Sequence, residues 1–140
     1  MMPIDDDIDE AAMAEAEAAL RELAEQYPAY AAADVDQMAF TLEALRSSGG
    51  ADAGLVGELH GVAHNIKGQG AAFGYDLMTS LGEALCLLTR DKSALDPGAM
   101  ASVAALIDAC RVVLDERLVG SGGAYGAQLS ANLGLALKAA

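Results

Sequence analysis

The sequence predicts an all-α fold, an antiparallel up-down-up-down four-helix bundle with an additional helix at its N-terminus. Three observations carry this. Over half of the residues are apolar but only 4% are aromatic, and alanine supplies much of the apolar share, which suits close-packed helices better than sheets rich in valine, threonine and tyrosine. Apolar residues recur at spacings of three and four along most of the chain, with no strand-like alternation. The breaks between these stretches are only a few residues long, so consecutive helices must run antiparallel to their neighbours.

The elements follow in order. Residues 7–26 are rich in alanine and glutamate, with Ile8, Ala12, Ala16, Ala19 and Leu23 at helical spacing, and Tyr27-Pro28 is expected to end this first helix. Pro28 then opens a second, whose stripe Val35, Met38, Leu42 and Leu45 stops at "RSSGG" near Arg46. The stripe resumes as Leu55, Leu59, Val62, Ile66 and Phe73, placing a third helix between about Asp52 and Phe73 with Gly74 as its stop. A fourth, about Tyr75 to Arg90, carries Leu77, Leu81, Ala84, Leu85 and Leu88. Asp96-Pro97 forms an N-cap and first-turn pair for a fifth, with Val103, Leu106, Ile107, Cys110, Val113, Leu114 and Leu118 on its apolar face.

"GSGGAYG" has linker composition, and Leu129, Leu133, Ala136 and Leu137 beyond it suggest a short terminal helix. A chain of 140 residues is one domain by size, with one modest core. It divides into a helix over 1–27 that caps or flanks the bundle, the bundle itself over 28–119, and a linker with a short helix over 120–140.

Charge narrows the function classes. The 8 basic residues against 21 acidic ones give a formal charge of −13, a field that repels nucleic-acid phosphates and anionic membranes. The N-terminus "MMPIDDDIDE" has no apolar leader segment, and no unbroken apolar run of about 20 residues offers a membrane span. Cys86 and Cys110 lie in apolar helical stretches rather than in a CxxC motif, as expected of buried thiols in a reducing compartment. A soluble, cytoplasmic protein is expected.

One stretch carries chemistry. "LHGVAHNIKGQGAAFGYD", Leu59 to Asp76, holds both histidines. At about 100° per residue, His64 lies about 200° from Val62 and from Ile66, so it points away from the core stripe. On the outer face Gly57, Gly61, His64, Gly68 and Ala71 fall at spacings 4, 3, 4 and 3. Each helical glycine costs up to about 1 kcal/mol relative to alanine, a cost that makes sense where something must approach closely. Lys67, three residues beyond His64, is the only basic side chain between Ala53 and Tyr75, where Glu58 is the only acidic one. An anionic guest fits, and a phosphoryl group fits best: neutral imidazole offers a nucleophilic nitrogen near pH 7, and the lysine offsets the charge of the oxygens.

Other chemistries are less well furnished. His60 and His64 have the H-x3-H spacing of two metal ligands, but Gly57 and Gly61 stand where an ExxH di-iron pattern needs glutamate. His60 is then a flank of the approach surface or an incidental exposed residue. No GxSxG, HExxH or GxxxxGK[ST] motif is present, which disfavours a hydrolase or an ATP-using kinase. A helical adaptor that binds other proteins without being phosphorylated stays open, as does, behind it, a metal-binding bundle using His60 and His64.

"AHNIKGQGAAFG", Ala63 to Gly74, resembles the histidine phosphotransfer (HPt) domain of bacterial multistep two-component phosphorelays. The family motif, approximately H-x-[LI]-K-G with a glycine six residues further on, reads here as His64, Ile66, Lys67, Gly68 and Gly74. The resemblance implies that Nε2 of His64 takes a phosphoryl group from the aspartyl phosphate of one receiver domain and hands it to the aspartate of another. Lys67 would neutralise the phosphoryl oxygens, Gly68 would keep the ring accessible and Gly74 would end the helix.

It also implies a carrier rather than an enzyme, with no cofactor of its own, since Mg²⁺ belongs to the receiver. Its partners would be response-regulator receiver domains and a hybrid sensor histidine kinase, met as a monomer. Many family members place a polar side chain, often glutamine, on the following helix to hold the ring's other nitrogen, and here Cys86 falls at that place. Thr79, Gly82, Glu83, Cys86 and Arg90 share one stripe of that helix, from which Glu83 or Arg90 would take over part of the role, or a water would. The docking surface is expected to be the small-residue stripe with exposed neighbours such as Met78.

Overall fold

A computed structural model describes the backbone of residues 3–139 and the side chains of residues 9–132. The described residues form five α-helices, α1 (Pro3–Ser47), α2 (Ala53–Gly70), α3 (Asp76–Thr89), α4 (Pro97–Asp115) and α5 (Gly123–Ala139), and one 3-10 turn, Ala71–Phe73, after α2. No strand occurs among the described residues. α1 packs against α2 and α4, and α3 packs against the same two helices. The four enclose one core built from the expected stripes: Val35, Met38 and Leu45 of α1, Leu59 and Ile66 of α2, Leu81 and Leu85 of α3, and Val103 and Val113 of α4 are all essentially buried.

Local chemistry sets the helix ends. The Asp52 carboxylate accepts the Leu55 N–H at 3.1 Å and starts α2, and Asp96 accepts the Ala99 N–H at 2.7 Å and starts α4 ahead of Pro97. Gly74, at φ +84°, closes the end of α2, where the Tyr75 N–H returns to the Gly70 carbonyl at 2.9 Å. Gly50, at φ +81°, does the same for α1, and its carbonyl accepts the Leu95 N–H at 2.9 Å. A Cβ there would lie 2.2 Å from the Leu95 carbonyl oxygen, so glycine is what lets the α1–α2 and α3–α4 loops join. At the opposite end Gly120 N–H donates to the Gly74 carbonyl at 2.7 Å.

Two expectations about organisation are corrected. The chain does not break at Tyr27-Pro28; α1 runs through Pro28 as one helix of 45 residues. An interior proline costs about 3 kcal/mol, and tertiary contacts on both sides of it offset that cost. Tyr27, 2% exposed, stacks on Phe73 with ring centroids 5.2 Å apart and tilts against Tyr75 at 5.1 Å, while Ala31 is buried one turn further on. The segment before Tyr27 therefore does not fold back as a separate flanking helix. From Asp9 to Gln26 every residue except Ala24 is exposed; the side chain of Ile8 lies outside the described residues.

The second correction concerns the C-terminus. The expected linker over "GSGGAYG" shrinks, because α5 begins at Gly123. Gly126 is buried in its first turns, where a Cβ would collide with the Ser121 carbonyl oxygen, and Leu129 packs partly against the core. The side chains of Leu133, Ala136 and Leu137 lie outside the described residues.

α4 is long and apolar enough to cross a membrane by length and composition. It carries Asp108 and Arg111, and its apolar face, with Val103, Ile107, Cys110 and Val113, is spent in the core. Burial pushes the Cys110 thiol up to about 12 and the Tyr27 phenol to about 12 as well. The Tyr27 hydroxyl has no hydrogen-bond partner among the described residues.

Candidate functional site

The site is built on the outer face of α2. Val62, Ala63 and Ile66 are buried, which fixes the rotation of the helix and leaves His64 exposed, as its phase predicts. Gly57, Gly61 and Gly68 are exposed along the same stripe, and a Cβ placed on any of them would meet nothing within 4 Å. Ala71 continues the stripe into the 3-10 turn and is also exposed. The imidazole thus stands on a bare strip of backbone, open to solvent.

Lys67 lies one turn beyond His64, half-exposed, and its ammonium pairs with the Glu83 carboxylate on α3. That hydrogen bond, more than the accompanying charge attraction, holds the Glu83 carboxyl below its ordinary range, against a smaller opposing effect of burial. Of the two residues expected to share the stripe with Cys86 and help at the ring, Glu83 is engaged by the lysine. No side chain among the described residues hydrogen-bonds the His64 ring. For Lys67 to serve an incoming anion, it must exchange the Glu83 carboxylate for that anion.

The geometry of the ion pair comes from the close approach of α3 to α2. A Cβ on Gly82 would sit 2.5 Å from the Lys67 backbone nitrogen and 2.7 Å from its Cα, and one on Gly70 would sit 2.7 Å from the Thr79 nitrogen. Only glycine permits this crossing. Thr79 then ties the end of α2 in place: its hydroxyl accepts the Ala71 N–H at 2.8 Å and donates to the Lys67 carbonyl at 3.1 Å. Gly70, Gly82 and Thr79 support the site without having been expected to. The signal available was a glycine and a threonine inside helices that would otherwise favour alanine or leucine.

Three expected site residues are placed differently. Met78 is fully buried and contributes to the core, not to a docking surface. It shares a face with Leu81 and Leu85, because α3 packs on two sides and so buries a wide arc. The outer face of α3 is Asp76, Ser80, half-exposed Glu83, Leu87 and Arg90, with Leu87 43% exposed as its apolar member. Cys86 is 1% exposed, and burial, the largest influence on it, raises its thiol above the ordinary range. It lies in the core, where the charges of Lys67, Glu83 and Arg90 act on it, and it makes no hydrogen bond to the His64 ring.

His60 is neither an exposed flank nor incidental. It is half-buried, with Nδ1 3.1 Å from the Thr89 hydroxyl. That hydroxyl lies 2.9 Å from the Leu85 carbonyl and donates there, so it accepts from His60, which assigns the proton of His60 to Nδ1. His60 locks α2 to the end of α3, one turn away from His64. Among the described residues no three His, Cys, Asp or Glu side chains come together as a metal-binding group.

Chemically, the arrangement offers one accessible imidazole, one cation that is held by a carboxylate, and clearance around both. It suits a nucleophile or a contact residue that meets groups brought by a second molecule. No protein-family model, curated protein or solved structure matches the chain.

Proposed function

We propose that this chain is a histidine-containing phosphotransfer protein, built as an antiparallel up-down-up-down bundle of α2, α3, α4 and the second half of α1. It receives and donates phosphoryl groups through His64. One observation carries the reading: an imidazole exposed between glycines that leave it clear, one turn from a lysine, in the sequence frame His64, Ile66, Lys67, Gly68 and Gly74. The ring of contacts α1–α2–α3–α4 supports the bundle, since helices joined by short connections alternate in direction.

In the transfer step, the Nε2 lone pair of neutral His64 attacks phosphorus of an aspartyl phosphate on a docked receiver domain. The bond from phosphorus to the carboxylate oxygen breaks, and its electron pair stays on the aspartate. The ring keeps its Nδ1 proton and carries the phosphoryl group until the reverse displacement on a second receiver. Lys67 turns from Glu83 to the phosphoryl oxygens. The chain acts as a carrier in the cytoplasm, as a monomer, with the receiver supplying Mg²⁺ and a hybrid sensor kinase at the head of the relay. The strongly negative charge fits protein partners rather than nucleic acid or membrane.

The test is transfer of label from phosphorylated receiver domains to the wild type and to His64→Gln, with acid-labile phosphate as the readout. Label on the wild type alone is expected. Lys67→Ala should slow transfer about tenfold, the value of ~1.4 kcal/mol in the barrier, without abolishing it; an unchanged rate would remove the lysine from the mechanism. The Lys67–Glu83 pair and the unheld ring also suit a non-phosphorylated adaptor. Receiver binding that survives His64→Gln, with no label on the wild type, would establish that second reading instead.

A further inference from the structure

α1 keeps its apolar face beyond the bundle that uses it. Counting back from buried Tyr27, the residues Leu23, Leu20, Ala16 and Met13 continue at spacings of 4, 3, 4 and 3, the a/d pattern of a coiled-coil seam. Inside the bundle this face is covered. Outside it, Leu23, Leu20 and Met13 are 45%, 57% and 61% exposed, on an arm from Asp9 to Gln26 about 27 Å long at 1.5 Å per residue. Ala12 and Ala19 flank one edge of the seam and permit close approach, while Glu10 and Glu17 flank the other.

The charge of the arm selects what covers it. From Glu10 to Gln26 there are five glutamates and one basic residue, Arg21. An antiparallel second copy would set Glu10 and Glu17 against their own counterparts, and in either orientation two arms each carrying five glutamates and one arginine would meet, which disfavours pairing. We propose that the arm is a docking helix for a partner protein, whose own helix presents an apolar seam flanked by lysine or arginine. The contact is independent of His64. It places the partner next to the Tyr27–Phe73 stack, at the end of the molecule where α2 finishes.

The probe is a labelled peptide of three heptads, with leucine at the two seam positions and lysine at the flanking ones. A counterpart carries glutamate at the flanking positions. Fluorescence anisotropy with the full chain should show binding of the lysine peptide, loss of at least tenfold in affinity in the Leu20→Glu/Leu23→Glu double variant, and no change in His64→Gln. Leu20→Ala/Leu23→Ala, which keeps helix propensity, should lose affinity in the same direction.

Simple attraction between opposite charges would instead strengthen binding to the glutamate variant, which gains two carboxylates, and that result would overturn the proposal. Equal binding of the glutamate peptide would overturn it as well. So would sedimentation of the wild type as a dimer that the double variant dissociates, because a second copy would then be the occupant.

Discussion

The helical glycines of this protein fall into two groups that look alike in the sequence and differ in space. Gly57, Gly61 and Gly68 face solvent, and a Cβ on any of them would touch nothing. Gly70 and Gly82 are buried where α2 crosses α3, and a Cβ on either would overlap backbone of the facing helix. The first group costs helix propensity and leaves the surface beside His64 open; the second is needed for the helices to meet at all. Their neighbours on the outer surface, His64 on one side and the Lys67–Glu83 pair on the other, depend on both.

Substitutions that add atoms at the two groups should therefore separate function from stability. The largest effect is expected from Gly68→Gln, whose side chain fills the space one turn from His64. Phosphotransfer should fall more than about a hundredfold, ~2.7 kcal/mol in the barrier, with the melting temperature unchanged or slightly raised. Normal transfer by this variant would show that clearance is not why the glycine is there.

Gly82→Val tests the other group and should destabilise the fold by about 3 kcal/mol, as overpacking of a close helix contact does. Denaturant unfolding reads this directly, and a loss under about 0.5 kcal/mol would mean that α3 can move off α2 without cost. The smallest effect is expected from Gly57→Ala, two turns from the histidine, which should stabilise the protein by about 0.5–1 kcal/mol because alanine is the better helix former and has room. A destabilisation there would break the division between open and packed glycines.

Much of the fold was legible because its causes are local. Asp52, Gly74 and the Asp96-Pro97 pair act on backbone groups within a few residues, and each ends or starts a helix where the sequence places it. The rotation of α2, and with it the exposure of His64, follows from the period of its apolar stripe. Pro28 does not end a helix as its local preference predicts, because that preference is opposed by Tyr27 packing on Phe73 and Tyr75, partners more than forty residues away.

Met78 is buried, against its expected exposure, for a related reason. A single stripe is a fair guide for a helix with one neighbour, whereas α3 lies between α2 and α4 and buries residues on either side of that stripe. Lys67 carried its charge in the sequence, but its engagement by Glu83 depends on how closely Gly82 lets the two helices approach.

The sequence by itself determined the helical class, the caps, the core stripes of α1 to α4 and the outward phase of His64, since each depends on chain-local geometry and on the 3.6-residue period. Tertiary structure decided that α1 continues through Pro28 into an uncovered arm and that Met78 and Cys86 are core. It also decided that His60 is tied to Thr89 and Lys67 to Glu83. Those outcomes turn on distances between segments remote in the chain, which are set by packing and are not encoded in the spacing of any one helix.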